Sequence, residues 1–232
     1  MNAETYAERR SEIEHYFDRT AADAWARLTS DAPVGRIRAT VRAGRDRMRA
    51  TLLSWLPADL GGTRLLDAGC GTGTLAIEAA RRGAQVTAID LSPTLVQLAR
   101  ERVPEALRGG IDFRSGDMLD PALGSFDHVV GMDSLIHYRT ADAVRVLAGL
   151  AQRTQSSIVF TFAPRTPALA AMHAVGQWFP RGNRSPAIEP VSEADLHRRL
   201  DAEPLLHGWR RARTLRVASG FYTSQALELV RS

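Results

Sequence analysis

Lysine is missing from this sequence: all 30 of its lysine-plus-arginine positions are arginine. That absence excludes a Schiff-base lysine, a P-loop lysine and a lysine general base. Cysteine occurs once, at Cys70, which excludes an intramolecular disulfide framework and a cysteine zinc knuckle. So little cysteine suits a reducing compartment, and a cytoplasmic location is expected. Long apolar runs are missing too, since none approaches the ~18 residues that read as a membrane span. The N-terminus, with Glu4, Glu8, Glu12 and Glu14, has no apolar core and does not read as a signal peptide. Neither sign of charge dominates. Thirty basic residues against 26 acidic ones leave +4, too small an excess to argue for nucleic acid. The histidines His15, His128, His137, His173, His197 and His207 show no close pairing, so no protein-bound metal is expected.

What is present is an ordinary globular composition. The 232 residues are 44% hydrophobic and 24% charged, enough for one domain with extensions. The first sixty residues read as helical. Tyr6, Ile13, Tyr16, Phe17, Trp25 and Leu28 sit among charges, and Thr20 with Asp23 is a candidate capping box. Gly35 to Leu56 is a stronger helix, with Ile37, Val41, Met48, Leu52 and Trp55 on one face. Arg38, Arg42, Arg45 and Arg49 form a stripe beside that face. Pro57 and Gly61-Gly62 end the segment.

The rhythm then changes to short apolar strands alternating with helices. Strands are expected at 64–67, 85–90, 111–115, 126–132 and 157–162, and helices at 73–82, from Ser92-Pro93, and at 140–153. Such alternation means a parallel sheet with right-handed crossovers. Between Pro164 and Pro190 the rhythm breaks and an insertion is expected. Ser192 with Asp195 caps a helix to about Asp201, and Leu205 to Val230 reads as an antiparallel pair. The expected division is a helical lid or extension over 1–60 and an α/β core over 61–232, with the insertion at 164–190.

The run from Leu65 to Gly73, LLDAGCGTG, leaves a strand and opens a helix. Gly71-x-Gly73-x-x-Ala76 fits the dinucleotide fingerprint. Asp67-x-Gly69-x-Gly71-x-Gly73 fits the S-adenosylmethionine loop of class I methyltransferases. Asp67 separates the two. An acid before the glycines suits a ligand without a pyrophosphate, and it can hold the cationic methionine end of the donor. Asp90 ends the next strand, placed for both ribose hydroxyls. Gly116-Asp117-Met118 follows the third strand, with Asp117 to accept from the adenine amino group and Met118 to pack on the ring. Leu91 and Asp133 complete the expected donor set.

Beyond the glycine loop, the chain resembles the magnesium-protoporphyrin IX methyltransferase family of (bacterio)chlorophyll synthesis, nearly end to end. The resemblance rests on His15 to Arg19 (HYFDR), Trp25 to Leu28, Phe126 to Tyr138 (FDHVVGMDSLIHY), Ser157 to Pro164 (SIVFTFAP), Phe179 to Pro186 (FPRGNRSP) and Ser219 to Leu227 (SGFYTSQAL). It implies a Rossmann-like, seven-stranded, mostly parallel sheet with an antiparallel final strand. It implies methylation of one propionate carboxylate of magnesium protoporphyrin IX by S-adenosylmethionine. By the same resemblance Tyr16 and His137 match positions close to the transferring methyl and orient the carboxylate. The alternatives are a lid or core aromatic for Tyr16 and a strand-end cap or surface histidine for His137. A propionate is already ionised at neutral pH, so no strong base is required.

The insertion is the expected porphyrin cover, with Trp178 and Phe179 as walls and Arg181 and Arg184 as cations. An amphipathic helix on the sheet edge is its alternative. The stripe at 38–49 reads as a solvated face, as a surface for lipid or a partner, or as a contact to a substrate propionate. Arg210, Arg211, Arg213 and Arg216 form a second cluster with the same alternatives. The resemblance also implies association with the porphyrin-binding subunit of magnesium chelatase and a peripheral place on the photosynthetic membrane. Competing functions are a quinone or phenol methyltransferase and a non-catalytic porphyrin carrier.

Overall fold

A computed structural model describes residues 6–19, 35–165 and 188–232. Among these, α1 spans Tyr6–Arg19 and α2 Arg36–Trp55. The α/β core follows as β1 (Arg64–Ala68), α3 (Thr74–Arg81), β2 (Gln85–Asp90), α4 (Pro93–Arg102), β3 (Ile111–Ser115), β4 (Phe126–Gly131), α5 (Thr140–Ala151) and β5 (Thr154–Phe162). It ends with α6 (Glu193–Ala202), β6 (Trp209–Ser219) and β7 (Tyr222–Arg231). The expected capping box at Thr20 lies outside the described residues. Among the described residues, no helix is long and apolar enough to cross a membrane.

All seven strands form one sheet in the order β3-β2-β1-β4-β5-β7-β6. Strands β1 to β5 pair in parallel, while β7 runs antiparallel to both β5 and β6. Both faces of the middle strands β1, β4 and β5 are covered, which those strands record as near-continuous apolar runs. Leu66, Val129, Ile158 and Leu227 face one side, with α5 and α6. Their neighbours Leu65, Val130, Val159 and Ala226 face the other, with α2, α3 and α4. Met48 and Leu52 of α2 are fully buried there, each contributing ~1.5–3 kcal/mol by burial. So α2 is part of the layer that covers the sheet.

Local chemistry sets the element ends. The Ser92 hydroxyl accepts from the Leu95 N–H at 3.2 Å, with Pro93 at the first helical position. Strand β5 starts at Thr154, earlier than its apolar stretch, because Thr154 pairs with Phe126 and its hydroxyl donates to the Leu150 carbonyl. The same contact closes α5 at Ala151 rather than Arg153. Leu205 and Leu206 lie in a 3-10 turn ahead of the final hairpin.

Candidate active site

The chain leaves β1 toward β2 and β3 on one side and returns to β4 and β5 on the other. Ligands in open α/β sheets sit at the carboxyl ends of strands at such a reversal. The glycine loop begins there. Gly69 and Cys70 donate their N–H groups to the Ile89 carbonyl at 2.8 and 2.9 Å, and the Gly71 N–H donates to Asp90 Oδ2 at 2.8 Å. Gly69 holds φ +88°, and a Cβ there would lie 2.3 Å from the Ser134 Cβ. At Gly71, φ is +51°, and among the described residues none beyond its chain neighbours lies within 4 Å of a Cβ position, which leaves its backbone open to a ligand. Gly73 serves packing instead: a Cβ would meet Ala99 and Phe113 at 2.9 Å, where α3 crosses α4 and β3.

A cavity of about 280 Å³ opens over this loop. Asp67, Gly69, Gly71, Asp90, Leu91, Met118, Asp133 and His137 all line it. Tyr16, Gly73 and Asp117 do not. Asp67 is buried, and burial, reinforced by the Asp90 charge, pushes its carboxyl up to about 7, with the Ala76 backbone hydrogen bond partly offsetting the rise. Its Oδ2 is a buried acceptor with no hydrogen-bond partner among the described residues. A cationic ligand group would satisfy that oxygen, so the site fits the ammonium end of S-adenosylmethionine. Burial raises Asp90 as well, although its oxygens accept from the N–H groups of Gly71 and Ser92. Burial also pushes the Cys70 thiol well up, which suits a packing residue better than a nucleophile.

Helix α1 crosses beside this cavity. Arg9 Nε donates to the His137 carbonyl at 2.9 Å, and Arg10 Nη1 lies 2.7 Å from Asp117 Oδ2. Asp18 accepts from the Ser92 hydroxyl and the Thr94 N–H. Ile13 is buried and lines the cavity, and half-buried Tyr16 follows it by three residues on the same helix. Asp117 engages both oxygens within the protein, since Oδ1 accepts from the Leu119 N–H. His137 sits in a 3-10 turn after β4, 5% exposed.

Trp178, Phe179, Arg181 and Arg184 lie outside the described residues. The chain on either side of them is held beside the His137 turn. Arg165 N–H donates to the Val191 carbonyl and Val191 N–H to the Ala163 carbonyl, both at 2.8 Å. Glu189 N–H donates to the Ile136 carbonyl at 2.8 Å.

Known proteins share this arrangement. A profile described as the magnesium-protoporphyrin IX methyltransferase C-terminus matches residues 131–231, and a general methyltransferase-domain profile matches residues 65–156. The magnesium-protoporphyrin O-methyltransferase of Rhodobacter capsulatus is 54% identical over 224 residues, covering 96% of this chain and 97% of that one. This chain belongs to the magnesium-protoporphyrin O-methyltransferases. The crystal structure of the Synechocystis PCC 6803 magnesium protoporphyrin IX methyltransferase with bound S-adenosylhomocysteine superimposes with a TM-score of 0.84 at 31% identity, covering 96% of this chain and all of that one. A ubiquinone biosynthesis O-methyltransferase from Xanthomonas oryzae pv. oryzae is 40% identical over 121 residues, about half of each chain.

Within this O-methyltransferase fold, two features go beyond their reading in the sequence. Asp133 was expected at the donor. It lines the cavity, yet its carboxylate also collects donors from the protein: Arg45 at 2.7 Å, the Tyr222 hydroxyl at 3.1 Å, the Ser224 hydroxyl at 3.1 Å and the Thr161 hydroxyl at 3.2 Å. It takes φ +55°, where a non-glycine residue is strained, and its N–H donates to Thr161 Oγ1 at 2.7 Å. Burial and the Asp133 charge push the Tyr222 phenol upward, so it stays a donor. The second feature is the α2 stripe, of which Arg42, Arg45 and Arg49 line the cavity together with Asp46. Met132, Ser134 and Tyr138 line it too, all within the FDHVVGMDSLIHY stretch that signalled the family.

In the second arginine cluster, Arg211, Arg213 and Arg216 are engaged within the protein. Arg213 forks onto the buried Glu228 at 2.6 Å through both Nε and Nη2, and its guanidinium stacks on Trp55. Arg211 pairs with Asp201, and Arg216 with Gln225 and Glu193. Strand β6 is an edge of the sheet, and arginines at an edge discourage pairing with another strand.

Proposed function

We infer that this chain transfers the methyl group of S-adenosylmethionine to a propionate carboxylate of magnesium protoporphyrin IX, releasing the monomethyl ester and S-adenosylhomocysteine in (bacterio)chlorophyll synthesis. One observation carries the reading. A chain matched over nearly its whole length by the family also places the glycine loop, an unsatisfied buried Asp67 oxygen and His137 in one cavity.

Chemically the site needs little beyond placement. The donor supplies an electrophilic methyl on a sulfonium. The acceptor carboxylate is already charged, so alignment provides the acceleration. Asp67 holds the ammonium end of the donor, Asp90 its ribose hydroxyls, and Leu91 and Met118 flank the adenine. Asp117 borders that end, and Asp133 supports the floor. His137 and Tyr16 orient the acceptor oxygen by hydrogen bonding, and α1 acts as the lid that brings Tyr16 in. The insertion covers the macrocycle, with Trp178 and Phe179 as walls and Arg181 and Arg184 as cations. What supports this is the clamping of its flanks beside the His137 turn.

The finer reading includes supply of the pigment by the porphyrin-binding subunit of magnesium chelatase and work at the surface of the photosynthetic membrane. A metal-loaded tetrapyrrole is apolar enough to favour handover between proteins over free diffusion. The deciding experiment gives the purified chain methyl-labelled donor with magnesium protoporphyrin IX or with the metal-free porphyrin. Label should enter the magnesium pigment as one ester, with a shifted Soret band on binding. Binding without label transfer would make the protein a carrier, and label in a quinone instead would move it to another substrate class.

A further inference from the structure

The substrate assigned above has two propionates on neighbouring pyrroles, and only one is esterified. They are chemically near-equivalent, so the protein must identify the second in order to present the first. Among the described residues, the floor of the cavity brings no arginine to it. Asp67, Asp90 and Asp133 are acids, and His137 stands where the acceptor is turned.

Cations come instead from α2. Arg42, Arg45 and Arg49 recur at intervals of three and four residues, so they lie on one helical face, and all three line the cavity. The next arginine of the stripe, Arg38, is exposed and does not line it. The three differ in what they already do. Arg45 is committed to Asp133 at 2.7 Å, with that carboxylate 5% exposed. Arg49 meets Asp46 at 2.7 Å, but Asp46 is 51% exposed, and such an exposed pair is weak. A ligand carboxylate can displace it. Arg42 is half-buried, one turn before Arg45.

We propose that Arg42 and Arg49 bind the propionate that is not methylated, and thereby select which of the two reaches the donor. The proposal rests on the methyl-transfer reading above. Electrostatics separates the two carboxylates. An arginine fork on the reacting oxygens would stabilise their charge and weaken them as nucleophiles. On the spectator carboxylate the same charge-assisted, two-pronged contact costs nothing in reactivity and fixes orientation. The reacting group is left to Tyr16 and His137, neither of which offers a guanidinium fork. The ester product keeps the spectator charge, so this contact registers the pigment's position without opposing the reaction.

The test uses the full-length double variant Arg42→Gln/Arg49→Gln, with Arg42→Lys/Arg49→Lys as the charge-retaining control. Substrates are magnesium protoporphyrin IX and a magnesium porphyrin carrying one propionate. For the dipropionate, KM should rise about tenfold or more in the glutamine variant, with kcat within about twofold. The monopropionate should show no such rise. The methyl should be distributed over both propionates, seen as two positional esters. S-adenosylhomocysteine affinity should be unchanged, and the lysine variant should recover part of the KM. An unchanged dipropionate KM with one ester would overturn the proposal. So would an equal rise for both porphyrins, which means general attraction to an anionic pigment, or a parallel loss of S-adenosylhomocysteine binding, which means a structural role. Failure of the unaltered protein to methylate either porphyrin would overturn the methyl-transfer reading itself.

Discussion

Arg45 Nη1 lies 2.7 Å from Asp133 Oδ2, an ion pair that joins the middle of α2 to the end of β4. Both groups are largely shielded, and the carboxylate also accepts from Tyr222, Ser224 and Thr161. The two halves of the pair are therefore unequal. Asp133→Asn removes the shielded carboxylate charge that faces the Arg45 guanidinium, and we expect a loss of about 3–5 kcal/mol in stability. Arg45→Met leaves Asp133 with three hydroxyl donors and should cost about 1–2 kcal/mol. Chemical denaturation of both variants measures the difference. Equal losses would show that the hydroxyls do not share in holding Asp133.

A pH dependence follows from Asp67. Its native value of about 7 is above that of an unfolded aspartate, so its contribution to stability is fully present below the unfolded value, ~3.9, and is lost as pH rises through about 7. A donor ammonium beside the carboxylate reverses the preference and favours the ionised form. S-adenosylmethionine affinity should then rise by up to about tenfold per pH unit below 7 and level off above it. Calorimetry in buffers of different ionisation heat should detect a released proton near pH 6. Asp67→Asn should remove both effects. A flat affinity from pH 5.5 to 8 in the unaltered protein would rule out this contact.

Gly44 stands inside α2, where alanine would gain about 1 kcal/mol of helix propensity. Its Cβ, however, would lie 2.5 Å from Tyr222 Cδ1. That ring is anchored through its hydroxyl to Asp133, so the helix must shift. Gly44→Ala is expected to destabilise by about 1–3 kcal/mol despite the propensity gain. A raised melting temperature would show that the ring yields instead.

Tyr16→Phe and His137→Ala separate the reacting group from the donor site. Each should lower kcat by about tenfold to a thousandfold while S-adenosylhomocysteine affinity changes less than about threefold. Wild-type turnover in both variants would remove them from the acceptor site.

The legible parts of this molecule are those encoded by neighbours in sequence. Ser92 and Pro93 announce the start of α4, the LLDAGCGTG run announces the turn out of β1 that borders the cavity, and Asp90 follows at the end of the next strand. The apolar runs of β1, β4 and β5 announce the middle of the sheet because those strands are buried on both faces. Asp133 is different. Its partners Arg45, Thr161, Tyr222 and Ser224 lie 88, 28, 89 and 91 residues away, and no period or motif links them. The α2 arginines occupy a middle position. Their helical spacing was visible, but the cavity they face is made by β1, β2 and β4, which only the sheet order brings beneath α2. Arg211, Arg213 and Arg216 read as a cationic surface because Glu228 becomes a neighbour only when β6 pairs with β7, and Asp201 and Glu193 only when that hairpin meets α6.

The attachment of α1 is of another kind than that of α2. Arg9, Arg10 and Asp18 fasten α1 through polar contacts that water can replace, and among its described side chains Ile13 alone is buried. Helix α2 is held by Met48, Leu52, Leu53 and Leu56, which water cannot replace. Opening free energies should therefore be layered, with α1 parting from the sheet at a small fraction of the cost of global unfolding. Bulky pigment and spent donor can then exchange through a local opening while the sheet keeps its full protection, so turnover need not draw on the stability of the fold.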